Sequence, residues 1–124
     1  MTRIYEQHDA AFAQVSAHVI LKDGECVATV AMKFGASGRV TAYLHWIGVE
    51  MVRGHADGGG YDKASAAVEA AARKLDTDIP GRGTKSKAQN QAHISVFRFS
   101  LIQDDGRTWD RCLRDAGFNV LQAV

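Results

Sequence analysis

Between residues 14 and 33 apolar and polar side chains alternate about the tetrad Lys22-Asp23-Gly24-Glu25. Asp-Gly between alternating runs is a strong local hairpin signal, because a type I′ turn requires positive φ at both central residues. With Asp23-Gly24 as a two-residue loop, Leu21 faces Cys26, Val19 faces Ala28, Ala17 faces Val30 and Val15 faces Met32, which puts these apolar residues on one face. The other face takes Ile20 with Val27, His18 with Thr29 and Ser16 with Ala31. Phe34 to Gly38 reads as a loop, and Arg39 to Gly54 as extended chain. Val40, Ala42, Leu44 and Trp46 share one face there, whereas Ile47, Val49 and Met51 follow odd numbers. This parity change beside Gly48 fits either a β-bulge in one bent strand or two strands joined by a tight turn. Trp46 and Tyr43 fall on opposite faces, as core and subunit contact respectively.

Beyond the glycines at 58 to 60 the period changes. From Tyr61 to Leu75, Ala64, Ala67, Val68, Ala71 and Leu75 follow helical spacing, and the alanine-rich stripe predicts a helix lying close against a sheet. Asp76 to Gln91 contains Pro80, the sole proline, with two glycines and many polar residues, and reads as a long loop. Ala92 to Ile102 reads as a strand, with Phe97, Phe99 and Leu101 on one side and Ile94 and Val96 on the other. Thr108 caps a short second helix with Trp109, Cys112, Leu113 and Ala116 inward, ended by Gly117. Phe118 to Val124 is a terminal strand. The predicted fold is therefore α+β: a single domain over residues 1–124, with a mainly antiparallel sheet of about five strands and two helices packed on one face, in the order β-β-β-α-β-α-β.

Composition narrows the function. The chain has 124 residues, 46% hydrophobic and 23% charged, which is the globular range. Its 15 basic and 14 acidic residues give a net charge of +1, which excludes coating of nucleic acid by bulk charge. The charge is unevenly divided, at −2 over residues 1–62 and +3 over residues 63–124, and Ile79 to Leu101 holds no acid at all. Glu6 and Asp9 interrupt the N-terminus before an apolar run, and the apolar stretches are strand-length, so a cytoplasmic protein with no membrane association is expected. Cys26 and Cys112 form no metal or redox motif and read as reduced core thiols.

Two segments carry candidate chemistry. Glycines running into a helix N-terminus offer free N–H groups to an anion, so Gly58, Gly59 and Gly60, flanked by Arg53, His55 and Lys63, are the candidate anion site. Arg82, Lys85 and Lys87, with Arg98, form a basic patch suited to docking on an acidic partner. That patch lacks interleaved aromatics over Ile79 to Gln91, which places free nucleic acid behind a small anion or a protein. No histidine spacing suits a metal, Ser65 has no nucleophile-elbow context, and Cys112 sits on an apolar helix face. No catalytic residue, metal ligand or cofactor is assigned, although His55 with Asp57 or Asp62 makes an acid/base pair the alternative for a small nucleotide-processing enzyme.

The run Met51 to Val68, with Arg53-Gly54, a small-residue spacer, Gly60-Tyr61-Asp62-Lys63 and an alanine-rich helix, resembles a signature of small proteins encoded by bacteriophages and prophages. The tail Trp109 to Phe118 is similar to the end of the same family. The resemblance implies a viral accessory protein that acts by stoichiometric binding, as an inhibitor of a host defence complex such as a CRISPR effector. The alternative it implies is a sponge for a nucleotide-derived signal held at Arg53, the Gly58 to Gly60 turn and Lys63. Self-association into a homo-oligomer is also expected, because helices on one side leave the other side of the sheet partly uncovered.

Overall fold

The computed structural model describes residues 14–35, 38–57, 63–78, 85–103 and 105–123, with Gln14 and residues 85–88 as backbone only. Strands β1 (Gln14–Lys22), β2 (Glu25–Phe34), β3 (Val40–Trp46) and β4 (Val52–Ala56) form an antiparallel meander. Helices α1 (Ala64–Arg73), α2 (Lys85–Ile102) and α3 (Trp109–Asp115) follow, and β5 (Asn119–Gln122) returns to pair with β1. The sheet order is β4-β3-β2-β1-β5, with the helices on one face. The single α+β domain and its antiparallel five-stranded sheet are as the sequence pattern predicts. The element order differs, because four strands precede the helices and the described residues contain three helices rather than two. No helix among them is long and apolar enough to cross a membrane.

The hairpin turns where expected, with Asp23 at φ 53° and Gly24 at φ 84°. Its register holds only for the first two pairs, Lys22 with Glu25 and Leu21 with Cys26. Ile20 then pairs with Ala28, leaving Val27 as the extra residue of a bulge. The slip reverses the predicted faces of β1. Ile20, His18 and Ser16 stand opposite Ala28, Val30 and Met32 on the covered face, and Val15, Ala17, Val19 and Leu21 turn outward. Burial of Ile20 explains the choice, since it is fully enclosed beside Val120 of β5, with Trp46 and Phe97 in the same core. Cys26, expected in the core, is exposed beside the bulge, whereas Cys112 is buried.

At Gly48 (φ 91°) the chain takes the second of the two predicted alternatives, a tight connection between separate strands. The Val49 N–H donates to the Trp46 carbonyl at 2.9 Å, and β4 runs on through Gly54 and His55 to Ala56. Gly54 faces α1. A Cβ there would overlap the Ala71 amide nitrogen and come within 2.7 Å of the Ala67 carbonyl oxygen. Ala67, Val68, Ala71, Ala72 and Leu75 are all buried, so the alanine stripe does bring the helix down onto the strand.

The predicted loop over 76–91 and strand over 92–102 are overturned by α2, which runs unbroken from Lys85 to Ile102. Ile94, Phe97 and Leu101 are buried at spacings of three and four, and Asn90 on the same stripe accepts a 3.2 Å hydrogen bond from the Trp46 indole. Val96 (45% exposed) and Phe99 (61%) face outward. Alternating Ile, Val and Phe imitate a strand, but the Lys, Ala and Gln residues before them favour a helix and the inward set has a helical period.

Helix α3 starts and stops where predicted, although the Thr108 side chain makes no capping hydrogen bond. The Trp109 N–H donates to Ser65 Oγ of α1 at 3.0 Å, so a neighbouring helix satisfies one of its orphan N-terminal donors. Gly117 (φ 99°) ends it in a Schellman arrangement, with Gly117 N–H to the Arg114 carbonyl and Phe118 N–H to the Leu113 carbonyl.

Two substitutions test this packing. Phe97→Ala is expected to lower unfolding free energy by about 3–5 kcal/mol and Phe99→Ala by less than about 0.5 in urea titrations, a contrast that a strand with both rings on one side would not give. Gly54→Ala is expected to cost about 3 kcal/mol or more by the same measurement, because the obstacle is helix backbone rather than a movable side chain.

Candidate binding surface

Alternation along each strand follows from the register. Ser16, His18, Ile20, Ala28, Val30, Met32, Val40, Ala42, Leu44, Trp46, Gly54 and Val120 face the helices. Their neighbours form a second face that no described element covers, and every described side chain on it is half-buried or exposed. Thr41, Tyr43 and His45 lie along β3, with Arg53 opposite Tyr43 and His55 opposite Thr41 on β4. The Thr41 hydroxyl and His55 Nδ1 are 3.0 Å apart. Lys33 on β2 stands opposite Thr41. The strand residues of this face include no aspartate or glutamate; just beyond the strand ends Arg39 and Asp57 continue the Thr41 and His55 side and pair with each other at 2.8 Å.

The predicted anion-site residues are therefore divided. Arg53 and His55 are exposed on the open face, while Lys63 is exposed at the start of α1 on the helical side. Gly58, Gly59 and Gly60 lie outside the described residues. Asp57 pairs with Arg39 at 2.8 Å, and that hydrogen-bonded guanidinium holds its carboxyl below the usual aspartate range. Of the predicted basic patch, Arg82 also lies outside the described residues, and Lys85 and Lys87 occupy the first turn of α2. The helix carries Arg98 thirteen residues further, roughly 20 Å from Lys85. Arg98 donates to the Arg73 carbonyl at 3.3 Å, tying α2 to the C-terminal turn of α1. Sequence reasoning missed the open face as a charged surface, although the polar parity of Thr41, Tyr43 and His45 against Val40, Ala42, Leu44 and Trp46 carries the signal.

A cleft of about 380 Å³ opens on the helical side, between the sheet and α3. His18 meets the Trp109 ring edge-on at 4.9 Å, and Asp110 pairs with Arg114, which also donates to the Val120 carbonyl at 3.2 Å. Ser16 Oγ and His18 Nδ1 are buried there without a hydrogen-bond partner among the described residues. Burial lowers the His18 pKa from its ordinary 6.5, opposed by the Val30 carbonyl and the Asp110 charge, with Arg114 adding to the decrease. Burial also pushes the Cys112 thiol up, which keeps it protonated and unreactive.

No family model, no curated protein and no solved structure matches this chain.

A histidine with a lowered pKa in the folded protein takes up its proton first in the unfolded chain. Its contribution to stability is present above pH 6.5 and is lost as the pH falls below that value toward the folded-state pKa. Urea midpoints measured from pH 8 down to pH 5 are expected to fall across this window, and His18→Gln should flatten the fall relative to the unsubstituted protein.

Proposed function

We propose that this chain works by stoichiometric binding rather than by catalysis, as a phage-type counter-defence protein that docks on an acidic surface of a host defence complex. The observation that carries this reading is the open face, whose strand residues include no acid and on which Tyr43, His45, Arg53 and His55 gather over β3 and β4. An aromatic side chain beside a guanidinium suits a protein contact, because tyrosine and arginine contribute disproportionately to interface energy. A face whose described cations, Lys33, Arg39 and Arg53, outnumber its one described acid, Asp57, attracts an acidic partner and repels a basic one. The division of Arg53 from Lys63 between two faces weighs against the nucleotide sponge, which needs both around one ligand.

The test is phage plating on a host carrying a CRISPR effector, with the protein supplied in trans. The intact protein should restore plating. The combined Tyr43→Ala and Arg53→Glu variant should lose that activity and bind the effector about 30-fold more weakly, with its thermal midpoint unchanged. A variant with Arg82, Lys85 and Lys87 reversed to glutamate should retain both properties. Full activity in the sheet-face variant, or no rescue by the intact protein, would overturn the reading.

A further inference from the structure

The open face changes character from one edge to the other. Along β1, Val15, Ala17, Val19 and Leu21 point outward, Leu121 of β5 stands opposite Val19, and Ala31 of β2 stands opposite Ala17. Val15 is 58% exposed and Leu121 50%. Among the described residues charge enters this half only at its end, where Lys33 stands opposite Val15, while Arg53 and His55 belong to the far edge strand.

We propose that the apolar half of this face is an isologous dimer interface, on which a second copy lays its own β5–β1–β2 strip with the two-fold axis running along β1. This inference is independent of the partner reading above, which uses the other half. An uncharged strip is complementary to itself, so a second copy fits it without any matching charge pattern. Electrostatics then selects the orientation. An axis across the strands would lay β4 on its counterpart and bring Arg53 against the Arg53 of a second copy. An axis along β1 sets β2 over the second copy's β5 and leaves β3 and β4 outside the contact. Aligned sheets pack in this way at about 30° with side chains interleaved. Strand spacings of about 4.8 Å and rises of about 3.3 Å per residue outline roughly 350 Å² per copy over β5, β1 and β2. The total of roughly 700 Å² is the size of a weak, transient contact, so the dimer is expected to form only as the protein concentration rises.

Analytical ultracentrifugation of the full chain over a concentration series tests this. The mass should rise from 13.5 kDa toward twice that value. Val15→Glu and Leu121→Glu, at positions already exposed in the protomer, should each raise the dissociation constant at least about tenfold with unchanged circular dichroism. Phe99→Glu, equally exposed on the helical side, should leave it unchanged, and Arg53→Glu should leave it within about twofold. A mass of 13.5 kDa at every concentration, or dissociation caused by Phe99→Glu, would overturn the proposal. So would dimerisation undiminished by Val15→Glu and Leu121→Glu. A marked effect of Arg53→Glu would overturn the orientation along β1. A dimer that forms normally while effector binding fails would separate this inference from the functional reading.

Discussion

The distance between the two layers is set where Gly54 meets the backbone of α1. Having no Cβ, Gly54 admits the helix to a separation that any other residue would prevent, and the alanines at 67 and 71 present equally little bulk from the other side. Dispersion contacts fall off steeply with separation, so this seam is compact with small side chains. The remaining helices are referred to α1: Ser65 receives the first amide of α3, and the Arg73 carbonyl receives Arg98 of α2. At that same C-terminal end Lys74 ties α1 to β4 by donating to the Arg53 carbonyl at 2.9 Å. One strand glycine thereby fixes the height of a whole helical layer.

The same close packing leaves the sheet two unlike faces. On the covered face Trp46, Phe97 and Phe118 form an aromatic cluster with ring centroids 5.2 to 6.4 Å apart. The edge-on geometry of the pairs involving Phe118 suits the ring quadrupoles. On the open face the side chains sort laterally, aliphatic toward β1 and β5 and cationic or aromatic toward β4. The sorting divides the face into an aliphatic half and a cationic and aromatic half.

Elements whose pattern is decided locally were legible before the structure was known. The Asp23-Gly24 turn, the alanine helix, the Gly117 stop and the β3 parity each follow from steric or hydrogen-bonding rules acting within a few residues. Two features were not legible, and a third was legible only in part. The bulge at Val27 answers to the fit of Ile20 in a core assembled from distant segments. Helix α2 was hidden because Ile94, Val96, Phe97 and Phe99 satisfy a two-residue and a helical period at once, and only the tertiary partner Trp46 decides between them. The candidate site was half legible: Arg53 and His55 were singled out as chemistry-bearing, but adjacency in sequence to Gly58 and Lys63 concealed that a strand sends its side chains away from the following helix.

The pairing of β5 with β1 joins segments about 100 residues apart, whereas β1 to β4 form from neighbouring hairpins. Loop closure over such a span costs entropy that the local meander does not incur, so the last strand to form docks on one of the first. During synthesis the outer edge of β1 stays unpaired, with Ile20 and His18 bare beside it, until Asn119–Gln122 has emerged. An unpaired strand edge templates further strand addition. The nascent chain thus passes through an interval in which its most aggregation-prone edge is open, and a chain interrupted before Asn119 would keep that edge permanently.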